Sequence, residues 1–232
     1  YFHALFWPAV LKASEHRLPN GVFVHGFLTV NGKKMSKSRG TFIRASTYAK
    51  HCDPEALRYY FASKLSDSVE DIDFNVDDFR QKVNSDLVGK LVNIASRCAG
   101  FISKRFDGKL APTLTHPLLD ECQQAADKIA TLFEARQFSS AIREIMRQAD
   151  NANQFISDQQ PWVLAKKAET LPEVQVICTI GLNLFRLLMI YLTPVLPALS
   201  EKVSAFLNVD AFVWEDCQRL LFDHQINPFK PL

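Results

Sequence analysis

The first long helix is predicted over residues 77–104, DDFRQKVNSDLVGKLVNIASRCAGFISK. Its apolar side chains recur every three or four positions, which places them on one face of an α-helix. Two later segments have the same spacing. The three predicted apolar stripes are Val83, Leu87, Leu91, Ile94, Cys98 and Ile102; Phe138, Ile142, Ile145, Ala149, Ala152 and Ile156; and Val176, Ile180, Leu184, Leu187 and Tyr191. Helices with one wide stripe bury it against each other, so this part is predicted to be a helical bundle.

The segment before the bundle has a different pattern. A helical spacing of apolar residues over positions 2–11 is followed by a β-like run, Val22–Val30, which Asn31-Gly32 ends. A helix followed by a buried strand is typical of the last unit of an α/β sheet. The polar loop 33–40 then lies beyond the carboxyl end of that strand, where the active sites of open α/β sheets lie. Asp53-Pro54-Glu55 predicts the start of another helix.

This change of pattern sets the predicted domain organisation. Residues 1–75 are expected to be the end of an α/β domain, residues 76–210 the helical bundle, and residues 211–232 a C-terminal tail. The predicted fold class is therefore mainly α, with a helical bundle preceded by the end of an α/β domain.

Composition excludes some classes of protein and leaves others open. The 232 residues are 47% hydrophobic, enough for a real core, and 27 basic against 25 acidic residues give a net charge of +2 that identifies no polyanionic partner. The five scattered cysteines lack the spacing of zinc ligands and are interpreted as reduced thiols of a cytoplasmic protein. Polar residues and prolines interrupt the apolar run 182–196, so it is interpreted as core rather than as a membrane span.

The loop contains Lys34-Met35-Ser36-Lys37-Ser38, or KMSKS. By itself, a five-residue basic pattern is as typical of a solvated loop as of an active site. The flanking sequence favours the active site, because KMSKS is the signature of class I aminoacyl-tRNA synthetases and the rest of the chain resembles the bacterial methionyl-tRNA synthetases. The similar stretches are residues 1–9, 23–27, 30–32, 53–60, 71–73, 83–84, 93–100 and 227–230.

The resemblance implies the class I Rossmann-like catalytic domain for residues 1–75 and a ligase that uses ATP and Mg²⁺ to join methionine to tRNA(Met). Lys34 and Lys37 are then the catalytic cations, since adenylate formation builds negative charge on the phosphates and preorganised ammonium groups lower that barrier. The implied ATP-binding residues are Lys34, Met35, Ser36, Lys37 and Ser38.

The resemblance also implies that Phe2, His3 and Trp7 contact methionine. Aromatic walls with one imidazole suit a thioether, which is polarizable and accepts only weak hydrogen bonds. The alternative from the residues alone is that Phe2 and Trp7 belong to a core and that His3 is a satisfied buried histidine.

A second implied site lies in the bundle, where Asn93, Arg97, Pro161 and Trp162 match the family positions that bind the CAU anticodon. An exposed indole ring can stack on an unpaired base while a nearby guanidinium and carboxamide address the base edge. The alternatives are a hydrogen-bonded pair on a helix flank and a tryptophan that closes the bundle core.

The HIGH signature and a zinc knuckle are expected in a part of the enzyme outside this sequence. The 232-residue chain alone is therefore expected to be inactive and monomeric, with any zinc held elsewhere and the tail packed back toward the catalytic part. The rival hypothesis is a stand-alone helical tRNA-binding module without catalysis.

Overall fold

The computed structural model describes residues 1–36, 42–113 and 115–229. Most of these residues are helical. A π-helical turn, Phe2–Phe6, leads into α1 (Trp7–Ala13), and the helices that follow are α2 (Ala45–His51), α3 (Pro54–Ala62), α4 (Val76–Val83), α5 (Asn93–Arg105), α6 (Pro117–Glu134), α7 (Phe138–Gln159), α8 (Pro161–Leu164), α9 (Leu171–Leu192) and α10 (Pro197–Leu207). The chain is therefore mainly α, with the predicted helical bundle.

The described residues contain one three-stranded sheet, with strands β1 (Leu28–Val30), β2 (Lys33–Lys34) and β3 (Ile72–Phe74). Strand β1 is central, antiparallel to β2 and parallel to β3. Asn31 and Gly32 join β1 to β2 with φ angles of 50° and 71°. A two-residue turn with positive φ at both positions matches the right-handed twist of the strands and suits the pair Asn-Gly.

The predicted strand Val22–Val30 was too long. Regular pairing begins only at Leu28, because the Phe27 N–H donates to the Asp71 carboxylate instead of to a ladder carbonyl. Residues 22–27 are not the buried strand expected; Phe23 and Phe27 expose 67% and 70% of their surface.

Helix α3 begins where the sequence predicted, and it packs on the bundle. Asp53 caps it by accepting a hydrogen bond from the Glu55 N–H at 2.9 Å. The Glu55 carboxylate in turn accepts the first free N–H groups of α10, and Arg58 donates to the carbonyls of Pro194 and Val195. The predicted boundary at 75–76 lies between β3 and α4 and stays a prediction, since α3 before it already contacts the bundle.

The predicted first long helix is continuous from Val76 to Arg105, with a π-helical stretch, Asn84–Val92, between α4 and α5. Its apolar stripe is buried as expected from Leu87 to Ile102. The stripe also carries one buried carboxylate, Asp86, which accepts hydrogen bonds from the Tyr59 hydroxyl at 2.7 Å and the Lys82 ammonium at 2.8 Å. Both bonds satisfy a group that would otherwise be costly to bury.

Helix α9 is the centre of the bundle and differs from the predicted single stripe. It contacts α5, α6, α7, α8 and α10, and every residue from Ile177 to Leu192 is buried, whereas Val176 of the predicted stripe is exposed. By length and composition, Ala168–Leu192 could cross a membrane, but 89% of its most apolar window is buried inside this bundle. Gly181 lets α5 approach closely, since a β-carbon there would meet the Cys98 sulfur at 2.5 Å.

The tail forms hydrogen bonds with two buried polar side chains of α9. Asn183 donates to and accepts from the Leu221 backbone, and the Arg186 guanidinium donates to the carbonyls of Asp216 and Arg219. Ile226 is buried, and its N–H donates to the Gly108 carbonyl. These contacts hold residues 216–226 on the bundle. The packing of the tail toward the catalytic part stays a prediction, and residues 230–232 lie outside the described residues.

Glu144 on α7 makes part of the bundle's stability depend on pH. Its carboxylate accepts hydrogen bonds from Arg147 at 2.7 Å and from Lys128 at 2.8 Å. The Arg147 bond is the largest cause that lowers the pKa of Glu144 from 4.5 to about 2, and burial partly opposes the shift. A depressed folded-state pKa contributes stability above the unfolded pKa, and that stability is lost as the pH falls through the folded value.

We therefore expect Glu144→Gln to lower the free energy of unfolding by about 2 kcal/mol near neutral pH, because the neutral amide cannot form the ion pairs. The difference from the parent chain should shrink between pH 4.5 and about pH 2. Denaturant unfolding across this pH range measures it. Glu173→Gln, at an exposed position on α9, is the control; a pH-independent deficit in Glu144→Gln would contradict this role.

Candidate nucleic-acid and nucleotide sites

Three pairs of polar side chains, which we call rungs, link the long helix (residues 76–105) to α7 at successive positions. Lys90 forms an ion pair with Asp150 at 2.9 Å. Asn93 donates a hydrogen bond to Asn153 at 3.1 Å, and Arg97 donates one to Ser157 at 3.1 Å. Each pair is separated by 60 residues. A constant offset means that the two helices run parallel, so the rungs lie along one face.

The last rung lies beside a tryptophan. Helix α7 ends at Gln160, whose φ of 46° and ψ of 56° turn the chain sharply into α8. Pro161 then starts α8 and is buried, while Trp162 exposes 39% of its surface. The guanidinium carbon of Arg97 lies 4.7 Å from the centre of the Trp162 ring, a cation–π distance.

The structure therefore places Asn93, Arg97 and Trp162 on neighbouring helices at one surface, with the buried Pro161 directly before Trp162. We call these four residues, Asn93, Arg97, Pro161 and Trp162, the Trp162 platform. Trp162 does not close the core, because its ring is partly open to solvent. Asn93 and Arg97 each form a hydrogen bond on the flank of the long helix, but with α7 rather than with each other, and Arg97 also lies beside the ring.

Two residues of this surface were missed from the sequence. Asn153 and Ser157 carry the α7 ends of the two rungs. The sequence did contain a signal, because residues 153 and 157 have the same four-residue spacing as residues 93 and 97. That signal has meaning only once the two helices are known to pack side by side and parallel, so that 93 meets 153 and 97 meets 157.

The basic loop starts from a rigid turn. The Asp73 carboxylate accepts hydrogen bonds at 2.7 Å from the Gly32 N–H and from the Thr29 hydroxyl. The Gly32 bond is the first cause that lowers the pKa of Asp73 below its usual value. Since the carboxylate is ionised at neutral pH, it fixes the turn that ends in the exposed cations Lys33 and Lys34.

The rest of the KMSKS sequence is only partly described. The Lys34 ammonium lies 5.5 Å from the centre of the Phe27 ring. Met35 and Ser36 are half-buried, and Lys37 and Ser38 lie outside the described residues. The structure thus places one of the two predicted catalytic cations, on β2 and directly after the turn held by Asp73.

The residues predicted to contact methionine are all exposed. Phe2, His3 and Trp7 lie on the first helical segment, and Phe2 and Trp7 expose 69% and 54% of their surface. Phe2 and Trp7 therefore do not belong to the core that the described residues form. Trp7 borders an open surface cavity of about 380 Å³ together with Leu11 and Leu18.

Among the described residues, no group of three histidine, cysteine, aspartate or glutamate side chains is placed to hold a metal ion. Of the cysteines, Cys52 is exposed and the other four are buried. Burial raises the pKa of Cys122 to about 12, which makes that thiol unreactive at neutral pH.

Two protein-family models match the chain. Residues 1–99 match the model described as class I tRNA synthetases (M), and residues 107–225 match the model described as the anticodon binding domain of methionyl tRNA ligase. Together the two matches cover both the sheet with its basic loop and the helical bundle.

Individual relatives agree with the models. The methionine–tRNA ligases of Psychrobacter sp. (strain PRwf-1) and Psychrobacter cryohalolentis are each 58% identical over 233 aligned residues, covering all of this chain and 33% of the relative. This chain thus spans about a third of the length of those relatives.

Solved structures give the same result. A Mycobacterium tuberculosis methionyl-tRNA synthetase in complex with methionyl-adenylate is 25% identical with a TM-score of 0.84, over 99% of this chain and 47% of that one. Its free-state structure is 23% identical with a TM-score of 0.81, and it supports the fold alone.

Proposed function

This chain belongs to the methionyl-tRNA synthetase family, and from that membership we propose that it forms part of a ligase that joins methionine to tRNA(Met) with ATP. In this proposal, the sheet and its basic loop act in methionine activation, and the bundle reads the CAU anticodon. The tRNA, methionine and ATP are its partners, and it acts as a monomer in the cytoplasm without contact to a membrane.

The observation that carries the proposal is the Arg97 guanidinium 4.7 Å from the centre of a partly exposed Trp162 ring. An indole ring offers a flat face on which an unpaired base of a loop can stack. Arg97 has five N–H donors, of which the Ser157 bond uses one nitrogen, so others remain for a base edge or a phosphate. Asn93 lies one helical turn away and adds a carboxamide.

Rigid supports favour this use of the Trp162 platform. Pro161 is buried and restricts the backbone just before Trp162, while the long helix and α7 are fixed to each other by the three rungs. A preorganised surface loses little conformational freedom when it binds, which favours affinity. Substrate selection by the bundle then needs no large rearrangement.

For the activation step, we propose Lys34 and Lys37 as the catalytic cations, with Lys34, Met35, Ser36, Lys37 and Ser38 as the ATP-binding loop. Lys34 follows the Asn31-Gly32 turn on an exposed strand end, so its ammonium can reach a phosphate. An ammonium group held near the departing pyrophosphate stabilises charge that develops in the transition state. Asp73 contributes indirectly by fixing the turn.

For methionine itself, we propose contacts to Phe2, His3 and Trp7. These residues share the first helical segment, and their exposure leaves the two aromatic rings available to an apolar thioether. Contacts between sulfur and aromatic rings are favourable by about 0.3–1.5 kcal/mol each, enough to help select methionine.

The proposal includes Mg²⁺ with ATP, but the described residues do not fit a metal site of their own. The carboxylate at the turn, Asp73, is already committed to Gly32 and Thr29, and the described chain has no cluster of three ligands. The ion is therefore expected to arrive on the phosphates of ATP, and no residue here is assigned to it.

Trp162→Ala tests the anticodon site. Loss of the stacking face should weaken binding of an RNA hairpin whose loop carries CAU by at least roughly fivefold, since a base–aromatic stack is worth about 1–3 kcal/mol. Fluorescence anisotropy with a labelled hairpin measures the affinity, and thermal unfolding should show a small change because the ring is partly exposed.

Trp214→Ala is the matched control. Trp214 packs on Tyr191 with ring centres 5.4 Å apart, so its loss should cost about 3 kcal/mol of stability while hairpin affinity of the folded protein stays unchanged. The anticodon assignment is wrong if Trp162→Ala binds the CAU hairpin as the parent does.

Lys34→Ala tests the catalytic loop in the complete enzyme. Adenylate formation should slow by about two to three orders of magnitude, the usual effect of removing one preorganised group that stabilises a transition state. Single-turnover kinetics of adenylate formation after rapid mixing with methionine and ATP measure this rate. Methionine affinity should change little.

Lys33→Ala provides the control for charge, because Lys33 is the neighbouring exposed cation on the same strand and its side chain points to the opposite face. It should leave the adenylation rate near that of the parent. Equal losses in the two variants would show that only the net charge of the loop matters, which contradicts a specific role for Lys34.

A further inference from the structure

Asn153 on α7 has its side-chain amide fixed by three hydrogen bonds. Its Nδ2 donates to the carbonyl of Lys90 at 3.0 Å and to the carbonyl of Ala149 at 2.9 Å. Backbone carbonyls only accept hydrogen bonds, so the opposite orientation of this amide would set oxygen against two oxygens. The Oδ1 atom of Asn153 must therefore face Asn93.

This orientation determines the orientation of Asn93. Since Oδ1 of Asn153 is an acceptor, Asn93 must present its donor, and its Nδ2 lies 3.1 Å away. The carbonyl oxygen of Asn93 is then the part of the amide left for a ligand. Asn93 is only half-buried, so that oxygen can be reached from outside the bundle.

We propose that Asn153 is a positioning residue that orients the Asn93 amide as a hydrogen-bond acceptor, and that the Trp162 platform thereby selects a base carrying an exocyclic amino group. Cytosine and adenine present an amino donor on the edge where uracil and guanine present a carbonyl oxygen. An acceptor fixed at Asn93 therefore accepts a hydrogen bond from cytosine or adenine and repels the carbonyl oxygen of uracil or guanine. The inference rests on the proposed reading of an RNA loop by this surface.

Arg97 complements this acceptor. One guanidinium nitrogen is held by Ser157, and the group stays beside the Trp162 ring with its remaining donors. Cytosine and adenine both carry a ring-nitrogen acceptor next to the amino group, so a fixed acceptor and a nearby donor match two adjacent atoms of one base edge. Uracil instead carries a carbonyl oxygen next to a ring N–H, so it would leave both the Asn93 acceptor and the Arg97 donor unpaired.

The test compares three hairpin RNAs with loops CAU, UAU and CGU, in which an amino group is exchanged for a carbonyl at one base at a time. The 232-residue chain should prefer CAU over at least one of the others. Asn153→Ala frees the Asn93 amide to rotate, so this preference should fall by about tenfold, the effect of one hydrogen bond gained or left unmade. Equilibrium binding by anisotropy gives the ratios.

Conservative variants separate orientation from structure. Asn153→Asp keeps an acceptor facing Asn93 and should retain the preference, while its second oxygen faces the carbonyls of Lys90 and Ala149 and should lower the free energy of unfolding. Gln154→Ala, on the exposed side of α7, is the control and should behave as the parent. If Asn153→Ala does not fold, Asn153→Ser replaces it, because its short side chain cannot span the contact to Asn93.

A double-mutant cycle with Asn93→Ala decides whether Asn153 acts through Asn93. If it does, the double variant should have the same base preference as Asn93→Ala alone. Independent, additive losses of preference would overturn the inference, and so would a folded Asn153→Ala chain with the parental preference. A parent chain that binds the three hairpins equally would overturn the proposed anticodon function as well. A parent chain that prefers CAU, with the same preference in Asn153→Ala, would overturn only the role of Asn153.

Discussion

Helix α9 has to be shielded from water on every side between Ile177 and Leu192, and the arrangement of the other helices follows from that constraint. Helices α5, α6 and α7 cover it, and Gly181 allows α5 to approach to the contact distance of the Cys98 sulfur. Burying apolar surface contributes about 25 cal/mol per Å², so a fully covered helix dominates the stability of the bundle.

The functional surface is a consequence of this packing. Covering α9 sets the long helix and α7 side by side and parallel, which aligns residues 93 and 97 with residues 153 and 157. The left-handed backbone at Gln160 then ends α7 and directs Pro161 into the core, which leaves Trp162 beside Arg97. An apolar constraint in the core thus places an aromatic ring, a guanidinium and an amide on one exposed surface.

The sequence predicted the features that depend on local patterns. The stripes of the first two bundle helices were correct except for the half-buried Val83 and Phe138, and the cap at Asp53 and the turn at Asn31-Gly32 were correct, because spacing and turn chemistry act within a few residues. The third stripe was incomplete, since a helix buried on all sides has no single face to detect.

Long-range contacts could not be predicted in the same way. The start of β1 depends on Asp71, which is 44 residues from Phe27, and the path of the tail depends on the buried polar groups Asn183 and Arg186. The family resemblance named the four residues of the Trp162 platform but not Asn153, whose importance follows only from the two carbonyls that fix its amide.

The bundle is proposed to read an unpaired base on Trp162, and the fluorescence of that ring tests this directly. Trp7→Phe and Trp214→Phe together leave Trp162 as the remaining tryptophan of the three in the chain. Titrating this variant with the CAU hairpin should quench the Trp162 emission in a saturable way, at lower concentration than a hairpin with a scrambled loop, because a stacked base contacts the indole directly. Saturable binding detected by anisotropy, with no change in Trp162 emission, would contradict the account.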